Sequence, residues 1–115
     1  MYSIGGRLAV ADKRDLQKLA KQYGGVVDDS NDNGHAAFEA MIAGGRSQFN
    51  AVLGGGRDSD GRFRRLDAHG FYWTSTETSD STAWLYNFGK GGQLLNHHHD
   101  IAKRRAFSVR CMKER

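Results

Sequence analysis

The chain contains fifteen glycines and no proline. Without proline to fix φ at its corners, such a chain turns through residues that tolerate positive φ, chiefly glycine, asparagine and aspartate. Many loops joining short elements are therefore expected. A length of 115 residues with 38% hydrophobic side chains supports one domain with a single modest core. No apolar run approaches the roughly 18 residues that a membrane span needs, so membrane insertion is not expected. The segment Met1–Asp15 lacks the apolar region of a signal peptide. On that reading the chain is cytoplasmic if complete, or else trimmed of its address.

The net charge of +4 is unevenly spread. Residues 1–23 carry five basic and two acidic groups, residues 24–56 one and four, and residues 57–115 eleven and seven. Acidic side chains are mixed into both basic segments, which describes a solvated surface better than a nucleic-acid stripe. Arg62, Arg64 and Arg65, with Lys103, Arg104 and Arg105, are the only clusters that favour nucleic acid. The single Cys111 excludes an intrachain disulfide.

A helix is expected from about Asp12 to Tyr23. Asp12 can cap it, Asp15 stands in a capping-box position, and Leu16, Leu19, Ala20 and Tyr23 recur at helical spacing before Gly24 and Gly25. The basic residues Lys13, Arg14, Lys18 and Lys21 read as its solvated face. A second, shorter helix is expected from about His35 to Ala43, with Phe38, Met41 and Ile42 inward and Gly44–Gly45 at its end. Between them, Asp29, Asn31, Asn33 and Gly34 match the opening of an EF-hand loop. The position for its bidentate glutamate is Ala40, so a turn with an Asp or Asn helix cap is the better reading.

From Ser47 onward the pattern changes to short strands and glycine turns, with a tight turn at Asp60–Gly61. Alternation places Phe71 with Trp73 on one face of a strand, Trp84 with Tyr86 and Phe88 on another, and Phe107 with Val109 and Cys111 on a third. Trp73, Trp84, Phe88 and Phe107 are expected in the core, Cys111 as a buried structural thiol. A tyrosine can put its ring inside and its hydroxyl outside, so Tyr86 is open to either role.

The segments GGRLAVADKRDLQKLAKQYGG, SQFNAVLGGGRDSDGRF, GFYWTSTE, AWLYNFGKGG and the closing AFSVRC resemble, in order, the Fibrobacter succinogenes major paralogous domain (FISUMP) family. The resemblance implies an α+β domain of C-type lectin-like fold, with two helices packed on short antiparallel sheets and long irregular loops. It covers residues 1–115 as a single domain, either a minimal stand-alone version or one cut from a longer chain. It implies a secreted or cell-surface location. The chain departs from the family at Gly5–Val10, where members carry a tryptophan and a proline. The disulfides and calcium motifs of sugar-binding animal lectins are also missing, so calcium-dependent sugar binding is not expected.

No nucleophile, base and metal set with catalytic spacing is legible, and no cofactor is implied. The concentrated chemical feature is Asn96, His97, His98, His99 and Asp100. In extended chain His97 and His99 project to one side, so with Asp100 they are the candidates for a transition-metal site. The preferred reading is a non-catalytic binding or display module for a glycan or protein. Imidazoles, amides and aromatics give flat area and adaptable hydrogen bonding at small entropic cost. By the lectin-like resemblance its ligand face draws on residues 78–82, Tyr86, Asn87, Lys90, Gln93, Asn96, His97, His98, His99, Asp100 and Lys103. The alternatives are a variable ligand-binding protein of a diversity-generating retroelement and a metal-binding domain using His97 and His99.

Overall fold

A computed structural model describes residues 8–113. In chain order these are β1 (Leu8–Val10), α1 (Lys13–Lys21), a 3-10 turn at Val27–Asp29, α2 (His35–Met41), β2 (Gly56–Arg57), β3 (Phe63–Arg64), β4 (His69–Glu77), β5 (Thr82–Gly89), β6 (Leu94–Ala102), β7 (Ser108–Val109) and β8 (Cys111–Lys113). The architecture is α+β, two helices with small sheets. The main sheet runs β6-β5-β4-β7, while β1 pairs with β8 and β2 with β3. The expectation of purely antiparallel sheets is corrected at one place: β7 runs parallel to β4, pairing Tyr72 with Ser108. Residues 103–107 carry the chain from β6, at one edge of the sheet, to β7 at the opposite edge.

Helix α1 forms where its signals stand. The Asp12 carboxylate accepts from the Asp15 N–H at 2.8 Å, and the Asp15 carboxylate accepts from the Asp12 N–H at 2.9 Å, a reciprocal cap of the kind that contributes about 1 kcal/mol. Leu16 and Ala20 are buried, with Leu19 and Tyr23 packed beside them. Ahead of α2, the loop is organised as a turn. Asp32 accepts from the N–H groups of Gly34 and Ala36, and the Ser30 hydroxyl also accepts from Gly34. These bonds hold the Asp32 carboxyl below its ordinary pKa, the one from Ala36 most of all.

One face of the sheet carries the core. Tyr72, Tyr86, Phe88 and Leu95 lie there, closed over by Leu16 and Ala20 of α1 and by Phe38 and Met41 of α2. Tyr72 is opposite Tyr86 in the register, so the buried phase of β4 is Gly70, Tyr72 and Thr74 rather than Phe71 and Trp73. Phe71 and Trp73 are half-buried on the second face, where Phe107 covers them with ring centroids 4.8 and 5.2 Å away.

The last predicted face is overturned. Val109 and Cys111 are exposed, because Arg110 is the residue turned inward. Its guanidinium donates to the carbonyls of Phe49 and Asn50 and lies over the Phe49 and Tyr72 rings at 4.8 and 5.4 Å. The chain breaks there into β7 and β8, so Cys111 is not a core thiol.

The expected turn at Asp60–Gly61 joins β2 to β3, and the arginines around it meet one buried carboxylate. Asp58 accepts from Arg64 at 2.6 Å, Arg65 at 3.1 Å and Arg105 at 3.2 Å. Burial would raise the Asp58 pKa. The bonds from Arg64 and Arg65, with the charges of Arg65 and Arg105, carry it below the ordinary value. Three of the six residues that favoured nucleic acid thus tie the irregular 54–68 segment to the crossover after β6.

Candidate functional site

The sequence candidates do not form one surface. Tyr86 is buried, and its hydroxyl donates to the Lys13 carbonyl at 3.0 Å. Burial raises its pKa, and the charges of Asp29 and Asp12 add to that. Its polar tip is bonded inside the fold. Asn87 is also buried, on the second face of the sheet, where its Oδ1 lies 3.0 Å from His69 Nδ1. Lys90 and Gln93 are exposed at the turn between β5 and β6. The Gln93 carbonyl lies 3.1 Å from His35 Nδ1, which ties that turn to α2.

The tract 96–100 is strand, not loop, and its alternation divides it. His97 stands opposite Tyr86 on the core face. Asn96 and His98 stand opposite Asn87 and Leu85 on the second face. Burial lowers the His98 pKa, and the charge of His97 adds to the shift. Asp100 is exposed and lines a shallow groove of about 470 Å³ beside Asp58, Arg64 and Arg105. Lys103 is paired with Glu77.

The side chains that do converge lie at the far end of the sheet. His97 and His99 flank the half-buried Trp84, with ring centroids 5.0 and 5.3 Å from the indole. A register shift between Ala83 and Leu85 sets Trp84 into this corner. His97 Nε2 lies 3.2 Å from Asp28 in the 3-10 turn, and its Nδ1 is buried without a partner. Next to the imidazoles, the β4–β5 turn gathers hydroxyls. Thr78 Oγ1 lies 2.7 Å from Thr82 Oγ1, Ser79 Oγ 2.7 Å from the same atom, and Thr78 donates to the His99 carbonyl. His97 and His99 therefore share a face as the alternation requires, but their neighbours are an indole and one carboxylate. Among the described residues no group of three His, Cys, Asp or Glu side chains stands close enough to hold a metal ion.

Sequence reasoning missed two features here. Lys13 reads as solvated helix, yet its Nζ lies 4.1 Å from the centre of the Trp84 ring. A larger cleft of about 830 Å³, lined by Val10, Leu19, Phe49, Arg110 and Cys111, opens between α1 and the β1–β8 pair. No local pattern links those residues, which are brought together only by the closing strands.

The lowered His98 pKa has a consequence for stability. The folded state holds this ring neutral where an unfolded histidine, with a pKa of about 6.5, already takes a proton. The unfolded state then binds more protons, so stability is lost as pH falls from about 6.5 toward the folded-state value and levels off below it. His98→Asn is expected to flatten the fall in Tm between about pH 7 and 5 relative to wild type. Parallel curves for the two proteins would show that His98 carries none of the dependence.

Neither a curated protein nor a solved structure matches the chain. Residues 9–113, from β1 to β8, match the family model of the Fibrobacter succinogenes major domain. This match spans nearly all of the sequence, and the chain belongs to the Fibrobacter succinogenes major domain family.

Proposed function

We propose that this is a non-catalytic binding module of C-type lectin-like fold, acting at a cell surface or as part of a secreted protein. Its ligand is a glycan or protein, met at the β4–β5 turn and the adjoining end of β6. One observation carries the reading: the exposed Thr78 hydroxyl, clustered with those of Ser79 and Thr82, donates to the carbonyl of His99, whose ring lies against the half-buried Trp84. Flat aromatic area next to adaptable donors and acceptors is what a recognition surface needs. The pairing of β1 with β8, which brings the two ends of the described chain together, supports the lectin-like description. The hydroxyls bond one another and the main chain, a pattern suited to contact rather than to an activated nucleophile.

The test is a screen of the purified domain against glycan and surface-protein arrays, repeated with Thr78→Val, His99→Ala and, at the opposite end of the sheet, Lys90→Ala. A ligand whose binding falls about tenfold with the first two, roughly 1.4 kcal/mol, and is unchanged by the third is expected. Loss with Lys90→Ala alone would move the surface to the β5–β6 turn. Absence of binding across both arrays would overturn the reading.

A further inference from the structure

Among the described residues, Lys13 is a cation at this corner with no carboxylate partner. Its backbone is fixed on both sides, the N–H donating to Thr76 Oγ1 at 2.9 Å and the carbonyl accepting from the Tyr86 hydroxyl at 3.0 Å. The side chain runs over the Trp84 ring. Five nearby carboxylates are already engaged: Asp12 and Asp15 with each other's N–H, Asp28 with His97, Asp29 with Gln17, and Glu77 with Lys103, while Asp80 in the β4–β5 turn is exposed. Among the described residues no carboxylate pairs with the Lys13 ammonium. A cation over an indole gains from the ring's negative face, but this leaves its hydrogen-bonding capacity open.

We propose that Lys13, Trp84 and His99 form a subsite for an acidic sugar, a uronate unit within a glycan. The inference rests on the binding-module reading and names its ligand class. The sugar carboxylate takes the ammonium of Lys13 in a charge-assisted bond. Its apolar C–H face lies along the Trp84 and His99 rings, and its hydroxyls meet those of Thr78 and Ser79. A neutral sugar would leave the ammonium unanswered. An acidic peptide would use the charge but not the hydroxyl turn. The net charge of +4 favours approach of an anionic polymer. Asp28, largely exposed beside His97, and Asp80, exposed in the hydroxyl turn, oppose the anion and set a limit on affinity.

The chain has two tryptophans, so Trp73→Phe leaves Trp84 as the only indole reporter. Fluorescence titration of that variant with tri-galacturonate, against neutral galactose trimer, reads the subsite directly. A change in emission with the uronate alone is expected, weakened about tenfold by Lys13→Gln, largely kept by Lys13→Arg, strengthened a few-fold by Asp28→Asn, and reduced by added salt. Unchanged melting of Lys13→Gln separates lost binding from lost fold. Equal responses to both trimers, or an affinity indifferent to Lys13→Gln, would overturn the acidic-sugar assignment. If a neutral glycan or a protein then binds in a Thr78- and His99-dependent way, the module reading survives that failure. If nothing in the arrays binds, both fall.

Discussion

Phe88→Ala is expected to remove about 3–5 kcal/mol of folding free energy, a large share of the roughly 5–15 kcal/mol available to a domain of this size. Phe88 sits on β5, between β4 and β6, and is 1% exposed. Its ring meets one aromatic from each surrounding part of the fold: Phe38 of α2 at 6.4 Å, Phe49 of the 47–55 segment at 6.1 Å, and Tyr72 of β4 edge-on at 5.7 Å. Truncation opens a cavity bounded by helix, loop and sheet, three layers that cannot all move inward together. The lost transfer energy and the void therefore both count. Urea unfolding should show a lower midpoint with an unchanged slope. A loss below about 1 kcal/mol would mean that the site collapses freely and that the core is not centred on this ring.

What was legible in the sequence was local. The capping box of α1 lies within four residues, and the Asp60–Gly61 turn joins two strands that flank it directly. Period-two alternation located β4 and β5 but did not say which phase faces the helices. Phe71 and Trp73 have the stronger hydrophobic claim, yet Tyr72 is inside. Its hydroxyl makes this tolerable by accepting from the Val52 N–H at 2.8 Å, a partner twenty residues away that no window contains.

The same limit explains Cys111. Alternation could not anticipate that Arg110 would be the inward residue, because its two carbonyl partners lie about sixty positions earlier. Charge obeys the same limit. Asp58, Arg64, Arg65 and Arg105 look like surface composition until the crossover after β6 is folded back. They then become a buried carboxylate with three guanidinium partners. At the candidate site the alternation of His97, His98 and His99 was readable. The indole they frame reads as core, and the lysine over it as solvated helix surface.

Gly34→Ala is the second large loss, and it tests how the polar loop and α2 are seated on the edge strand. Gly34 has φ +79°, and a Cβ there would come within 2.6 Å of the Leu95 carbonyl oxygen and 2.9 Å of its nitrogen. Those are backbone atoms of β6 and cannot swing aside as a side-chain tip would. An alanine pays about 1–2 kcal/mol for the left-handed conformation, plus about 1–3 kcal/mol for forcing the two backbones apart. Gly44→Ala isolates the first cost. Gly44 has φ +85° and open space where its Cβ would stand, so only the conformational part applies. Gly34→Ala should therefore be more destabilising than Gly44→Ala by at least about 1 kcal/mol in matched denaturation curves. Hydrogen exchange should rise in α2 and at Leu94–His97, while β4 stays protected. Equal losses in the two alanine variants would mean that α2 rests loosely on β6, and that the corner at Trp84 is held from α1 and the sheet alone.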